Sequence, residues 1–208
     1  MTATFTVILP HKWNDGNDRA FLVALDRLLA NTDHEFALIT DVAIQDSLQK
    51  RVNQMVRSAP TDLCVYTASD MFMAPHWDTP MLEAVNLQTF VTGVVVEPRA
   101  IALHPQNYER DFGRKPDQFH ADQFDGWTLT EAPMLDGEGW YCPYMFHRDA
   151  YFQQGGLEET LDGEFNDADM RLFARFKVAG GQIKRVRSFC YHLQRYSDVD
   201  EQAHPKRG

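Results

Sequence analysis

The sequence predicts a single α/β domain whose mostly parallel central sheet is flanked by helices. Two observations carry that expectation. Short β-rich runs at Thr4–Leu9, Phe36–Ile39 and Leu63–Tyr66 alternate with two stretches whose apolar residues recur at helical spacing, and such alternation with short loops describes parallel crossover units. The chain has 208 residues, 44% hydrophobic and 24% charged, which is enough to bury one substantial core and cramped for two.

Each element has its own signal. Thr4–Leu9 stops at Pro10, and Trp13-Asn14-Asp15-Gly16 reads as a loop. Phe21, Leu22, Leu25, Leu28 and Leu29 line a helix running to about Ala30, with Asn17 or Asp18 to cap it. Phe36–Ile39 ends in Thr40-Asp41. Ile44, Leu48, Val52 and Met55 form a second helical stripe, and Leu63–Tyr66 follows the turn Pro60-Thr61-Asp62. Pro75 opens a short helix through Val85, and Phe90–Val96 is another buried strand. The stretch Glu97–Trp140 differs, with four of the ten prolines, weak periodicity, and nine acidic against four basic residues. It is expected to be irregular, with short helices, and to carry a binding surface. After Tyr141–Phe146, Gly155-Gly156 precedes Asn166-Asp167-Ala168-Asp169. Leu172, Phe173, Phe176 and Ala179 then mark a helix stopped by Gly180-Gly181, Ile183–Val186 and Phe189–His192 read as terminal strands, and the tail from Gln194 is polar.

Charge and composition narrow the function. Thirty acidic residues outnumber twenty basic ones, giving a net charge of −10, and without a Lys/Arg-dominated stretch no broad nucleic-acid surface is expected. Phe90–Val96, the longest apolar stretch, is far short of the roughly 20 residues that span a bilayer. Met1–Leu9 lacks a basic leader region, so neither a signal peptide nor a membrane span is expected. Cys64, Cys142 and Cys190 are widely spaced among apolar neighbours, which suits reduced thiols in a cytoplasmic protein; a cysteine zinc site needs closer pairs.

Three positions could carry chemistry, and each has a structural reading beside the functional one. Asp70 follows a strand of an α/β unit, where a carboxylate can hold a divalent cation against a phosphate or simply make a turn. Asn166-Asp167-Ala168-Asp169 can place a partly exposed general base at a helix start, or serve only as cap and dipole partner. His192 ends a strand as a metal ligand or a packed imidazole. Trp13, Trp77, Trp127 and Trp140 could stack on sugars or bases, though each also suits a core.

The order of these features resembles nucleotide-sugar glycosyltransferases of the GT-A fold, especially family 2 and its relatives. Phe5-Thr6-Val7-Ile8-Leu9-Pro10, with Asn14 after it, looks like the family's opening strand and loop, and Leu38-Ile39-Thr40-Asp41 like its second strand. Leu63 through Asp70, followed by Pro75 and Trp77, looks like the strand and Asp-x-Asp region, with Ala68 in place of the first Asp. Gly155-Gly156-Leu157-Glu158-Glu159, then Asn166-Asp167-Ala168-Asp169-Met170 with Arg175 and Gly180, is similar to the Gly-Gly motif and the Glu-Asp helix that holds the base, with Asn166 in place of Glu. The resemblance covers nearly the whole chain except Glu97–Trp140, the part that varies with acceptor.

That resemblance implies one glycosyltransferase domain over residues 1–208: a nucleotide-sugar-binding half at 1–96, an acceptor-binding and catalytic half at 97–192, and a polar tail at 193–208. It implies a hexosyltransferase that uses a nucleoside diphosphate sugar, UDP-sugar favoured, and inverts the anomeric centre. Asp70 and His192 would hold Mn²⁺ or Mg²⁺. Asp167 would be the base, Asp41 the contact to uracil, Pro10 and Ser69 further donor contacts, and Arg195 a phosphate ligand. The acceptor, whether saccharide, lipid-linked sugar, protein or modified base, is left open. A retaining transferase and a degenerate GT-A domain that binds without transfer are the alternatives.

Overall fold

The structure, a computed structural model, describes residues 3–11, 18–40, 46–98, 107–134, 137–159 and 167–193. Strand β1 (Phe5–Ile8) is buried at every position, as expected of a strand flanked on both sides and covered on both faces. It pairs in parallel with β2 (Phe36–Ile39) and with β3 (Leu63–Tyr66). Helix α1 (Asp18–Asn31) lies between β1 and β2 in sequence and buries Ala20, Phe21, Ala24 and Leu28. Helix α2 (Leu48–Arg57) precedes β3 and starts at Ser47, whose hydroxyl accepts from the Lys50 amide at 3.3 Å, an N-cap that satisfies one free helix amide. The expected strand–helix–strand opening is therefore present, although Asp41 at the end of the second run and Ile44 at the start of the second helical stripe lie outside the described residues.

The rest of the sheet is mixed. Strand β4 (Met71–Met73) follows β3, helix α3 spans Thr79–Ala84, and β5 (Thr89–Glu97) is nine residues long and buried throughout. Strand β6 (Tyr108–Glu109), a 3₁₀ turn at Pro116–Gln118 and helix α4 (Ala121–Thr130) occupy the acidic stretch. Strand β7 (Tyr144–His147), helices α5 (Arg148–Gln153) and α6 (Ala168–Val178), and strand β8 (Gln182–His192) complete the chain. The sheet order is β2-β1-β3-β7-β5-β8-β4, with β6 paired to β5. Only β7 and β4 run against their neighbours.

Two details differ from the sequence reading. The helix after Pro75 starts at Thr79, because His76 adopts a left-handed φ of 60° and closes a turn first; its ring Nδ1 meets Asp33 at 2.8 Å and its amide donates to the Asn31 carbonyl. The two terminal strand segments are one strand, β8, whose register against β5 shifts between Thr92 and Val94. At that bulge the Ser188 carbonyl would lie 2.8 Å from a Cβ on Gly93, so only glycine admits the approach.

Three aromatic-rich clusters fill the core. α2, α5 and α6 cover Phe90 and Phe146 with Val52, Val56, Tyr151, Leu172, Phe173 and Phe176. A second cluster packs Phe5, Val7, Leu28, Trp77 and Met81 together, and the Trp77 indole N–H donates to Thr32 Oγ1 at 2.9 Å, so its polar edge is satisfied inside. The third places Phe112, Phe124 and Trp127 on Phe72, Phe189 and Tyr191, which anchors the acidic stretch to the sheet. All three cysteines are free thiols. Among the described residues no helix is long and apolar enough to cross a membrane.

Candidate active site

The strand directions gather the carboxyl ends of β1, β3, β5 and β8 and the starts of β4 and β7 at one edge of the sheet. In open α/β sheets this edge is where ligands bind. Pro10, Ser69, Asp70, Glu97, Cys142, Tyr144 and His192 all belong to it. Pro10 is buried where β1 leaves the sheet; the next residue, His11, stacks on Phe21 at 4.2 Å, and its carbonyl accepts from the Arg51 guanidinium at 3.0 Å. Ser69 lies in the turn before β4 and is partly exposed. Asp41 and Arg195, together with Asn14 and Asn166, fall outside the described residues.

Asp70 and His192 meet because β4 and β8 pair antiparallel, with Met71 opposite His192. The Leu193 amide donates to the Asp70 carbonyl at 3.0 Å, extending the pairing one residue further. His192 Nε2 lies 3.5 Å from Asp70 Oδ2, and Nδ1 lies 2.9 Å from Glu97 Oε1. Ionised carboxylates only accept, so Nδ1 donates to Glu97. Burial disfavours charge on His192, but Asp70 and Glu97 more than offset it and raise the imidazole to about 10. Asp70 and His192 keep 13% and 19% of their side-chain surface exposed, whereas Glu97 keeps 1%.

Among the described residues no group of three or more His, Cys, Asp and Glu side chains is arranged to hold a metal ion. Asp70 and His192 are a two-residue donor set, one carboxylate and one imidazole facing each other. Such a set would suit a divalent cation that drew its remaining ligands from a bound phosphate and water, and imidazole would favour Mn²⁺ over the harder Mg²⁺.

The first turn of α6 supplies two carboxylates in different surroundings. Asp167 occupies the N-cap position without a side-chain cap bond; its side chain is 51% exposed and accepts from Arg171 Nε at 3.0 Å. Asp169 is partly buried and accepts from the Tyr144 hydroxyl at 3.1 Å. Burial raises its carboxyl to about 6 in spite of that bond. Burial, with smaller contributions from both Asp169 and Asp70, also raises the Tyr66 hydroxyl and the Cys142 thiol.

The Gly-Gly motif works through its backbone. Gly155 and Gly156 have φ of 83° and 70°, a conformation that glycine adopts without penalty. Asn53 of α2 accepts from the Leu157 amide at 3.0 Å and donates to the Leu157 carbonyl at 2.8 Å, while the Tyr151 hydroxyl donates to Asn53 at 2.5 Å. Arg175 of α6 donates to the carbonyls of Gln154 and Gly156. The turn thus ties α2 and α5 to the last turn of α6.

Glu97 and Tyr144 were not singled out by the sequence; Cys142 entered it only as a reduced thiol, and Asp169 as a first-turn carboxylate ranked behind Asp167 for the base. A carboxylate closing a strand as apolar as Phe90–Val96 was the available signal for Glu97. For Asp169 it was the spacing to Leu172 and Phe173, three and four residues on, which puts it on the buried side of α6.

No protein-family model matches the sequence, and no curated protein is detectably similar to it. Solved structures do match the fold. GalNAc-T7 with UDP, GalNAc and Mn²⁺ is 10% identical with a TM-score of 0.58, over 91% of this chain and 44% of that one. S. aureus TarS 1–349 in complex with UDP-GlcNAc is 10% identical with a TM-score of 0.55, over 97% of this chain and 61% of that one. The catalytic domain of Drosophila beta1,4-galactosyltransferase 7 with xylobiose is 13% identical with a TM-score of 0.53, over 87% of this chain and 63% of that one. The chain spans less than two thirds of the length of each. The three agree on the architecture: the chain has the GT-A fold.

Proposed function

We propose that the chain is a metal-dependent glycosyltransferase that moves a sugar from a nucleoside diphosphate sugar, UDP-sugar favoured, to an acceptor hydroxyl with inversion. The meeting of Asp70 with His192 at the carboxyl edge of the sheet carries this reading, and the UDP-ligand complexes among the structural neighbours support it. Asp70 and His192 would hold Mn²⁺ or Mg²⁺, which when bound offsets the negative charge that grows on the departing diphosphate. Pro10, Ser69, Asp41 and Arg195 are assigned to the donor. Asp167 takes the proton from the acceptor hydroxyl as that oxygen bonds to the anomeric carbon and the carbon–phosphate-oxygen bond breaks, so the nucleoside diphosphate leaves from the opposite face.

Ala68, where the family-like pattern has a first Asp, favours a second reading in which the domain binds a nucleotide sugar without transferring it. A screen of nucleotide sugars with and without Mn²⁺, scored by release of nucleoside diphosphate, separates the two. Metal-dependent release from one donor is expected; tight donor binding with no release under any metal or acceptor condition would refute catalysis.

A further inference from the structure

Glu97 is chemically unlike the strand it ends. Strand β5 reads TFVTGVVVE and is buried at every position, and a buried carboxylate is costly unless a specific partner compensates it. The backbone of Glu97 is clamped: it pairs with Glu109 of β6, and its carbonyl accepts from the Arg110 amide at 2.8 Å. On its other side, Val96 lies opposite Tyr191 in the parallel β5–β8 register, so the next step along both strands brings Glu97 to His192. The result is the 2.9 Å contact between Glu97 Oε1 and the His192 Nδ1–H.

We propose that Glu97 is a positioning residue that acts through His192, holding the ring so that Nδ1 carries the proton and Nε2 faces the cation position beside Asp70. The proposal rests on the functional reading above. Metal-binding imidazoles commonly donate their second nitrogen to a carboxylate, which fixes the tautomer and raises the basicity of the ligating nitrogen. Here the two carboxylates divide those tasks. Asp70, partly exposed, faces the ligand; Glu97, sealed in the strand, faces the ring's far side.

The experiment compares wild type with Glu97→Gln, which keeps shape and volume. The glutamine amide can turn its NH₂ toward Nδ1, which pushes the ring proton to Nε2 and blocks the ligating lone pair. Free Mn²⁺ measured by EPR in the presence of UDP is expected to show a dissociation constant raised about 10- to 100-fold in the variant. In ¹⁵N-histidine-labelled wild type with UDP and Mg²⁺, long-range ¹H–¹⁵N spectra are expected to show His192 protonated at Nδ1 only, a readout independent of how the variant folds. Equal Mn²⁺ affinity in both proteins, or a wild-type ring protonated at Nε2 in that state, would overturn the role of Glu97 while leaving the metal site in place. A wild-type protein that takes up no Mn²⁺ with UDP would overturn the functional reading and this inference with it.

Discussion

Replacing Asp169 by Asn removes a charge while preserving shape and an acceptor for the Tyr144 hydroxyl. Burial raises the Asp169 carboxyl from 3.8 to about 6. The native carboxyl therefore holds its proton at pH values where the unfolded one has lost it. Ionised Asp169 costs nothing below the unfolded value, and its cost grows as pH rises and is complete above about 6. Two units at about 1.4 kcal/mol each set a ceiling near 3 kcal/mol, and the side chain's partial exposure reduces this to about 1–2 kcal/mol. For a chain of this size that corresponds to a gain of roughly 2–8 °C in melting temperature at pH 8. Urea denaturation of wild type and Asp169→Asn at pH 8 and at pH 4 tests it: the variant is expected to be more stable at pH 8, with the gap closing as pH falls. A variant no more stable than wild type at pH 8, or a gap that ignores pH, would refute burial as the source of the shift.

Asp167→Asn is expected to lower turnover by about 10²-fold or more while donor binding persists, measured as kcat against donor affinity; near-normal turnover by the folded variant would transfer the base role elsewhere. Asp70→Ala is expected to abolish transfer and Mn²⁺ uptake and His192→Ala to raise the metal concentration needed for activity, whereas full transfer in excess EDTA would contradict the metal assignment. Gly156→Ala puts a Cβ 2.6 Å from Asn53 Oδ1 at a φ of 70°, and a loss of about 1–3 kcal/mol is expected; an unchanged melting temperature would show that the turn relaxes freely.

The opening of the fold is legible because β1, β2 and β3 are apolar and bounded by Pro10, Asp41 and the Pro60 turn, and because the helices between them carry a clear 3.6-residue stripe. Asp70 and His192 were also visible one at a time, as polar residues ending β-rich runs. Their meeting was implied only by the family resemblance, not by local pattern. It depends on β4, three residues of Met-Phe-Met too short to show any period, and on an antiparallel register that local pattern does not encode. Glu97 was hidden for a related reason: next to Pro98 and an acidic stretch, it reads as the start of a loop, and only pairing with β6 extends the strand through it. The merged strand β8 escaped notice because Arg187 and Ser188 interrupt its apolar run at the bulge.

Strand β8 pairs on both sides, with β5 in parallel and β4 antiparallel, yet among the described strands it is the last to be synthesised. Until it emerges, β5 presents an apolar edge nine residues long with no partner on that side, the kind of edge that invites pairing between chains. Asp70 likewise waits for His192. The sheet thus closes through contacts of long sequence separation, a topology that folds slowly and exposes its intermediates to aggregation. A chain halted anywhere before Gln182 lacks the strand that buries this edge, so the pairing that brings His192 to Asp70 is also the one that covers it.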